Sequence, residues 1–315
     1  MSKTVALVLG SGGARGYAHI GVIRELESRG YTITSVSGAS MGALVGGLWA
    51  AGKLDEYCEW VSGLEYLNIM RLLDLSLSHP GFIKGEKLFG VIRDMLGQTL
   101  IESLPVPFTA VATNLKTRKE IWFQRGDLVT AVRASSAIPS LFAPVNVNGQ
   151  LLVDGGVLNP LPMAPAGSAI ADILIAVDCL GDEAPGVQPI DEKSMEDKGQ
   201  ATPVEGWLKK IWTGSKQDKG QSLARSMSAI NVFYQSMEVM QESLARYKIA
   251  GHPPDILVSV PRSTCRFYDF HKFDEIEAVG RKLAANAINS WESVNGISQG
   301  QKGCYNTSAP TECTE

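Results

Sequence analysis

Gly38-Ala39-Ser40-Met41-Gly42 fits the pattern G-x-S-x-G and is the stretch of this chain best suited to chemistry. The pattern sets a serine on a sharp turn between a strand and a helix. Glycines flank the serine because a Cβ on either side would clash in so tight a turn. The turn lifts the Ser40 hydroxyl above the sheet edge. It also puts a helix N-terminus beneath the reacting centre, with free N–H groups and the positive end of its dipole. That is a site for acyl transfer.

Two further groups could serve such a site. The first is the glycine loop Gly10-Ser11-Gly12-Gly13-Ala14-Arg15-Gly16, between an apolar run and a helix-like stretch. A strand, a glycine loop and a helix in that order make an anion-binding corner. The anion is a nucleotide phosphate or the oxyanion of a tetrahedral intermediate, unless the loop is only a turn that lets strand and helix pack closely. The spacing speaks against the nucleotide. G-x-G-x-x-G counted from Gly10 meets Arg15 where it needs glycine, and no G-x-x-x-x-G-K-S/T is present. The second group is Asp154-Gly155-Gly156. Asp154 leaves an apolar strand at its carboxyl end, where α/β folds keep their sites, or it merely caps the turn.

A serine nucleophile needs a partner to take its proton. His252 precedes Pro253-Pro254 and His271 lies among aromatic residues, so either could complete a triad, although neither sits in a glycine-bounded loop after a strand. His19, about one turn into the helix after the glycine loop, is expected to pack or hydrogen-bond there.

The elements that must position these groups follow from the pattern of apolar residues. Val5–Leu9 and Ile33–Val36 read as buried strands. Helices are predicted from Tyr17 to about Arg29, from the elbow to Gly52, from Leu54 to about Met70, and over Lys87–Leu96. Residues 71–83 read as a packed connector, with a lid or interfacial patch as the alternative. Phe108–Thr113 and Glu120–Phe123 are paired strands, and Leu128–Ser136 is a short helix. Val145–Val153 is a hairpin turning at Asn148-Gly149. Ala171–Val177 is a strand with Asp178 at its end. The polar stretch 182–222 is read as a mobile insertion that Trp207 and Trp212 dock on the body, with a bilayer interface as the alternative. A helix over 224–248, a strand over 256–260 and a helix over 273–291 complete a single domain, 1–294. A disordered tail is expected over 295–315. The alternation of strand and helix implies an α/β fold, a three-layer α/β/α domain around a largely parallel sheet.

Composition excludes several function classes. The 315 residues are 44% hydrophobic and 20% charged, with a formal net charge of −4 and no long basic run. Phosphate neutralisation needs clustered Lys and Arg, so no nucleic-acid partner is expected. Five scattered cysteines without a C-x-x-C pair read as reduced thiols in a cytoplasmic protein. The histidines show no metal-ligand spacing, so neither a metal nor another cofactor is expected. The N-terminal apolar run is too short for a signal peptide or a membrane span. Contact with a membrane, at its inner surface, is therefore expected to be peripheral.

GSGGARG near the N-terminus, GASMG some two dozen residues later, RASSAIPSLFAPV, and the D-G-G at Asp154 occur in that order. Together they resemble the patatin-like phospholipase family, nearest its small bacterial members grouped with neuropathy target esterase. The resemblance covers residues 5 to about 180 well and the last strand and helix loosely. It implies a Ser–Asp dyad, with Ser40 as nucleophile and Asp154 as general base. It implies an oxyanion hole from the N–H groups of Gly12, Gly13 and Ala14, joined by Met41, with Arg15 and Gly16 supporting the loop. Gly38, Gly42, Gly155 and Gly156 would shape the elbow and the aspartate turn. Ser11 stands where the family commonly has a first glycine. The implied activity is hydrolysis of lipid acyl esters without a cofactor. The rival reading is a non-catalytic adaptor that keeps the fold.

Overall fold

The structure is a computed structural model that describes residues 3–64, 85–166, 170–182 and 221–296. The far end of the predicted third helix, the connector 71–83, most of the polar stretch 182–222 and the tail beyond residue 296 lie outside the described residues.

The strands are β1 (Thr4–Leu9), β2 (Thr32–Ala39), β3 (Phe108–Asn114), β4 (Lys119–Phe123), β5 (Val145–Val147), β6 (Gln150–Asp154), β7 (Ile173–Gly181) and β8 (Ile256–Pro261). They form one sheet in the order β5-β6-β3-β2-β1-β7-β8, with β4 also paired to β3. The pairs β1–β2, β1–β7, β2–β3 and β7–β8 are parallel, and β4, β5 and β6 pair antiparallel. β1 and most of β7 are near-continuous apolar runs, as expected of parallel strands covered on both faces, while β2 and β3 also bury Ser35, Ser37, Thr109 and Thr113.

The α-helices of the described residues include α1 (Ala18–Ser28), α2 (Met41–Ala50), α3 (Leu54–Ser62), α4 (Glu86–Leu96), α5 (Leu128–Ser135), the four-residue α6 (Met163–Ala166), α7 (Gln221–Gly251) and α8 (Phe273–Val294). The alternation along β1 shows the layers. Val5, Leu7 and Leu9 enter the large core with residues of α1, α2 and α8. Ala6 and Val8 point the other way, against Leu161, Met163 and Ala166 and against Ala245 of α7. A period of two with both faces covered makes three layers, α/β/α.

Three sequence expectations change. The helix predicted from Leu54 to about Met70 ends at Ser62, with Gly63 at its C-terminal cap. β7 runs to Gly181 rather than stopping at Val177, because β8 continues the ladder and Asp178 pairs with Ser259 inside the strand. The helix after the glycine loop begins as a 3-10 turn, Gly13–Tyr17, before α1. The hairpin turns where predicted, with Asn148 (φ 52°) and Gly149 (φ 77°) both left-handed, as its two-residue turn demands.

α1 and α8 cross in backbone contact. A Cβ on Gly280 would meet the backbone of Ala18, and one on Gly21 would meet the Glu277 carbonyl. Gly280→Leu is therefore expected to lower unfolding free energy by about 1–3 kcal/mol through overpacking. Urea denaturation measures it; an unchanged midpoint would mean the two helices part freely.

Candidate active site

Ser40 joins β2 to α2 with φ 56° and ψ −123°. A non-glycine residue held there costs on the order of 1–3 kcal/mol and persists only where its surroundings fix it. The flanking glycines have no room to change. A Cβ on Gly38 would strike the backbone of Gly42, and one on Gly42 would strike the carbonyl of Leu9.

Asp154 reaches Ser40 through the pairing of β3. Along one edge of β3, β2 takes residues 108–111 in parallel and ends with Ala39 opposite Val111. β4 occupies the other edge over residues 110–114. β6 must then continue on the β2 edge, where it runs antiparallel and ends with Asp154 opposite Ala112. The two strands abut end to end, and Ser40 and Asp154 stand at the joint. Both are almost fully buried.

Asp154 Oδ1 accepts the Gly156 N–H at 2.7 Å. Among the described residues, its Oδ2 has no partner in hydrogen-bond geometry. Burial raises the carboxyl pKa to about 7, against the opposing pull of the Ser40 hydroxyl and the Gly156 N–H. The Gly155 position admits no side chain, since a Cβ there would strike the Val111 carbonyl, and one on Gly156 would meet Ser11 Oγ at 2.5 Å.

The glycine loop faces this pair. Gly10 and Ser11 N–H groups are tied to Val177 and Pro160 carbonyls. Gly13 is left-handed at φ 56°, and a Cβ there would meet the Phe267 carbonyl oxygen at 2.5 Å. Among the described residues, the N–H groups of Gly12 and Gly13 have no backbone partner, and that of Met41, the first residue of α2, has none within its helix. The Ala14 N–H is different. It donates to the Phe267 carbonyl at 2.8 Å, so the expectation that it joins an oxyanion hole is corrected. Arg15 is buried beneath the loop. Its Nε donates to the Gly12 carbonyl at 3.4 Å and its Nη1 to the Arg262 carbonyl at 3.0 Å, and its Nη2 pairs with Glu238. Gly16 lets Met41 pack against the 3-10 turn.

Ser40, Asp154 and the loop open on a cleft of about 470 Å³, counted with the open solvent at its mouth. Its wall contains Ile138, Leu180 and Phe267 and, from one face of α7, Tyr234, Met237, Glu238 and Gln241. The Tyr234 and Phe267 rings stack with centroids 4.6 Å apart. The α7 residues carry no motif, so sequence reading missed them; their only signal is spacing at three, four and seven residues on one helix face. Among the described residues, no histidine lines the cleft. His252 and His271, the alternative bases, stand exposed elsewhere. His19 is fully buried, its pKa lowered to about 4 by burial, and its Nε2 lies 2.8 Å from the Gly10 carbonyl.

A family model described as patatin-like phospholipase matches residues 7–166. An uncharacterised NTE-family protein of Mycobacterium tuberculosis is 41% identical, over 92% of this chain and 93% of its own length. The chain belongs to the patatin-like phospholipase family. Among more distant relatives of this patatin-like protein is a lysophospholipase of Debaryomyces hansenii, 27% identical over 94% of this chain but only 18% of the larger protein. The fold also matches VipD of Legionella pneumophila, with a TM-score of 0.54 at 15% identity, over 92% of this chain and 67% of that one.

The buried carboxyl has a consequence for stability. Asp154 titrates near 3.8 when unfolded and about 7 when folded, so between those values the folded protein holds the extra proton. Stability contributed by the neutral carboxyl is complete below pH 3.8 and is lost as pH rises through 7. Asp154→Asn is therefore expected to gain in melting temperature over wild type as pH rises from 4 to 7, with a constant gap above. Thermal melts across that range check it, and a gap independent of pH would contradict the raised pKa.

Proposed function

We propose that this protein is a serine hydrolase of lipid acyl esters, of the phospholipase or lysophospholipase type, working through a Ser40–Asp154 dyad. The observation that carries the reading is a buried carboxylate, its Oδ2 just outside hydrogen-bond geometry yet felt by the Ser40 hydroxyl and its pKa raised to about 7 by burial, beside a serine on a strained elbow. A group titrating near the working pH is both sufficiently ionised and sufficiently basic to take a proton.

Ser40 Oγ bonds to the ester carbonyl carbon as its proton passes to Asp154 Oδ2. Charge collects on the former carbonyl oxygen, where the N–H groups of Gly12, Gly13 and Met41 receive it at the N-terminus of α2. The carbon–oxygen bond to the alcohol then breaks, and Asp154 returns its proton to the leaving alkoxide. Water attacks the acyl-enzyme by the same route, giving its proton to Asp154 and releasing the fatty acid and Ser40. The wall formed by Ile138, Leu180, Met237, Tyr234 and Phe267 suits an acyl chain. The lysophospholipase name of a distant relative supports the same substrate class. No described helix is long and apolar enough to cross a membrane.

Ser40→Ala is expected to abolish ester hydrolysis, and Asp154→Asn to lower kcat by about 10²–10⁴-fold. His252→Ala and His271→Ala are expected to leave it intact. Wild-type kcat/KM should rise with pH and level off above about 7, as Asp154 loses its proton. Intact mass after fluorophosphonate treatment, with peptide mapping, places the adduct. A folded wild type that gains none at Ser40 would refute the dyad and leave a non-catalytic fold.

A further inference from the structure

Ser135 ends α5 and Ser136 caps it, in the stretch Ala134-Ser135-Ser136-Ala137-Ile138-Pro139. Ser135 Oγ accepts the Ser40 N–H at 3.0 Å and donates to the Val111 carbonyl at 2.6 Å. Ser136 Oγ donates to the Ser40 carbonyl at 3.2 Å. The next carbonyl, that of Ala137, accepts the Asp154 N–H at 2.9 Å. Three successive residues thus hold both polar backbone groups of Ser40 and the backbone of Asp154.

We infer that the Ser135 and Ser136 hydroxyls are positioning groups that clamp the strained Ser40 residue and set its Oγ against Asp154. The inference rests on Ser40 being the nucleophile. A hydroxyl has one proton to give. Ser135 spends its proton on Val111, so a lone pair faces the Ser40 N–H and the direction of the relay is fixed. Val111 is itself the β3 partner of Ala39, one residue before the nucleophile. Ser135 therefore ties the left-handed residue to β3, the neighbour of the strand from which it departs. Ser135 is completely buried, so no water replaces its hydroxyl at the Ser40 N–H. The Ser40 carbonyl also accepts the Ala43 and Leu44 N–H groups, at 3.0 and 3.1 Å, so loss of the Ser135 hydroxyl chiefly frees the peptide before Ser40 and lets the Oγ shift away from the carboxylate.

The test is the rate at which a fluorophosphonate labels Ser40, measured per folded molecule, together with kcat and KM on a soluble ester. Ser135→Ala is expected to label about 10- to 100-fold more slowly, the loss that a displacement of about 1 Å brings. Its kcat should fall while KM stays, and its pH inflection should move up from about 7, because the Ser40 hydroxyl that holds the Asp154 pKa down is drawn away. Ser135→Thr restores a hydroxyl and should recover most of the rate. Ser136→Ala should show a smaller loss of the same kind. Ser135→Ala that labels at the wild-type rate, or that raises KM alone, overturns the clamp. Should Ser135→Ala not fold, Ser136→Ala decides: a wild-type rate there overturns the clamp as well. A folded wild type that takes no label refutes Ser40 as nucleophile, and the clamp falls with it.

Discussion

One edge of β3 carries two partners in succession. β2 takes the first half in parallel, β6 the second half antiparallel, and the last residues of both meet opposite Val111 and Ala112. Lying in line along one edge, the two strand ends share no ladder bond, so strand continuity breaks and a gap is left at the joint. Ser40 turns out of that gap into α2, and Asp154 turns into Gly155. Residues more than a hundred positions apart in the chain are thus placed by strand register, which is set to within a residue by the pleat. A slip of one position in β6 would send the Asp154 side chain to the opposite face of the sheet.

The surroundings of the joint are built at backbone level. Leu9 and Gly42, Val111 and Gly155, and Phe267 and Gly13 approach so closely that no side chain fits. Such contacts leave the strained Ser40 residue few alternatives, as a strained residue requires if it is to persist. Arg15 extends the constraint outward. It binds the loop carbonyl of Gly12, the Arg262 carbonyl and Glu238 of α7. The helix that walls the cleft is therefore tied to the loop beneath it. Tyr234 adds a bond to the Pro139 carbonyl at 3.4 Å, and Lys248 reaches Glu120 at 3.1 Å.

What was legible in the sequence is what backbone geometry dictates locally. The elbow, the glycine loop and the D-G-G turn announce themselves because glycine is needed where chains nearly touch, and the order of strands and helices follows from apolar periodicity. What was not legible depends on distant partners. Nothing near Ala14 says that its N–H will be taken by the carbonyl of Phe267. The end of β7 depends on how far β8 runs beside it. Tyr234, Met237 and Gln241 look like any helix face until α7 is laid across the cleft. The turn-cap reading of Asp154 leaves half of its carboxylate unused: one oxygen holds the Gly156 N–H, and the other has no hydrogen-bond partner among the described residues.

That no histidine stands among the described residues of the cleft wall has a physical logic. Burial disfavours the charged form of any group, so it raises the pKa of an acid and lowers that of a base. His19 and Asp154 show both signs in one molecule. The imidazole, wholly buried, is driven down to about 4 and is neutral, in hydrogen-bond reach of the Gly10 carbonyl at the start of the loop. The carboxyl, equally buried, is driven up to about 7. An exposed histidine would titrate near 6.5 and an exposed aspartate near 3.9. Drying the site exchanges their places, so that the aspartate becomes the side chain that gains and loses a proton near neutrality. A fold that closes its elbow with backbone contacts has little room to keep an imidazole wet, and a carboxylate is the group whose basicity improves under that constraint.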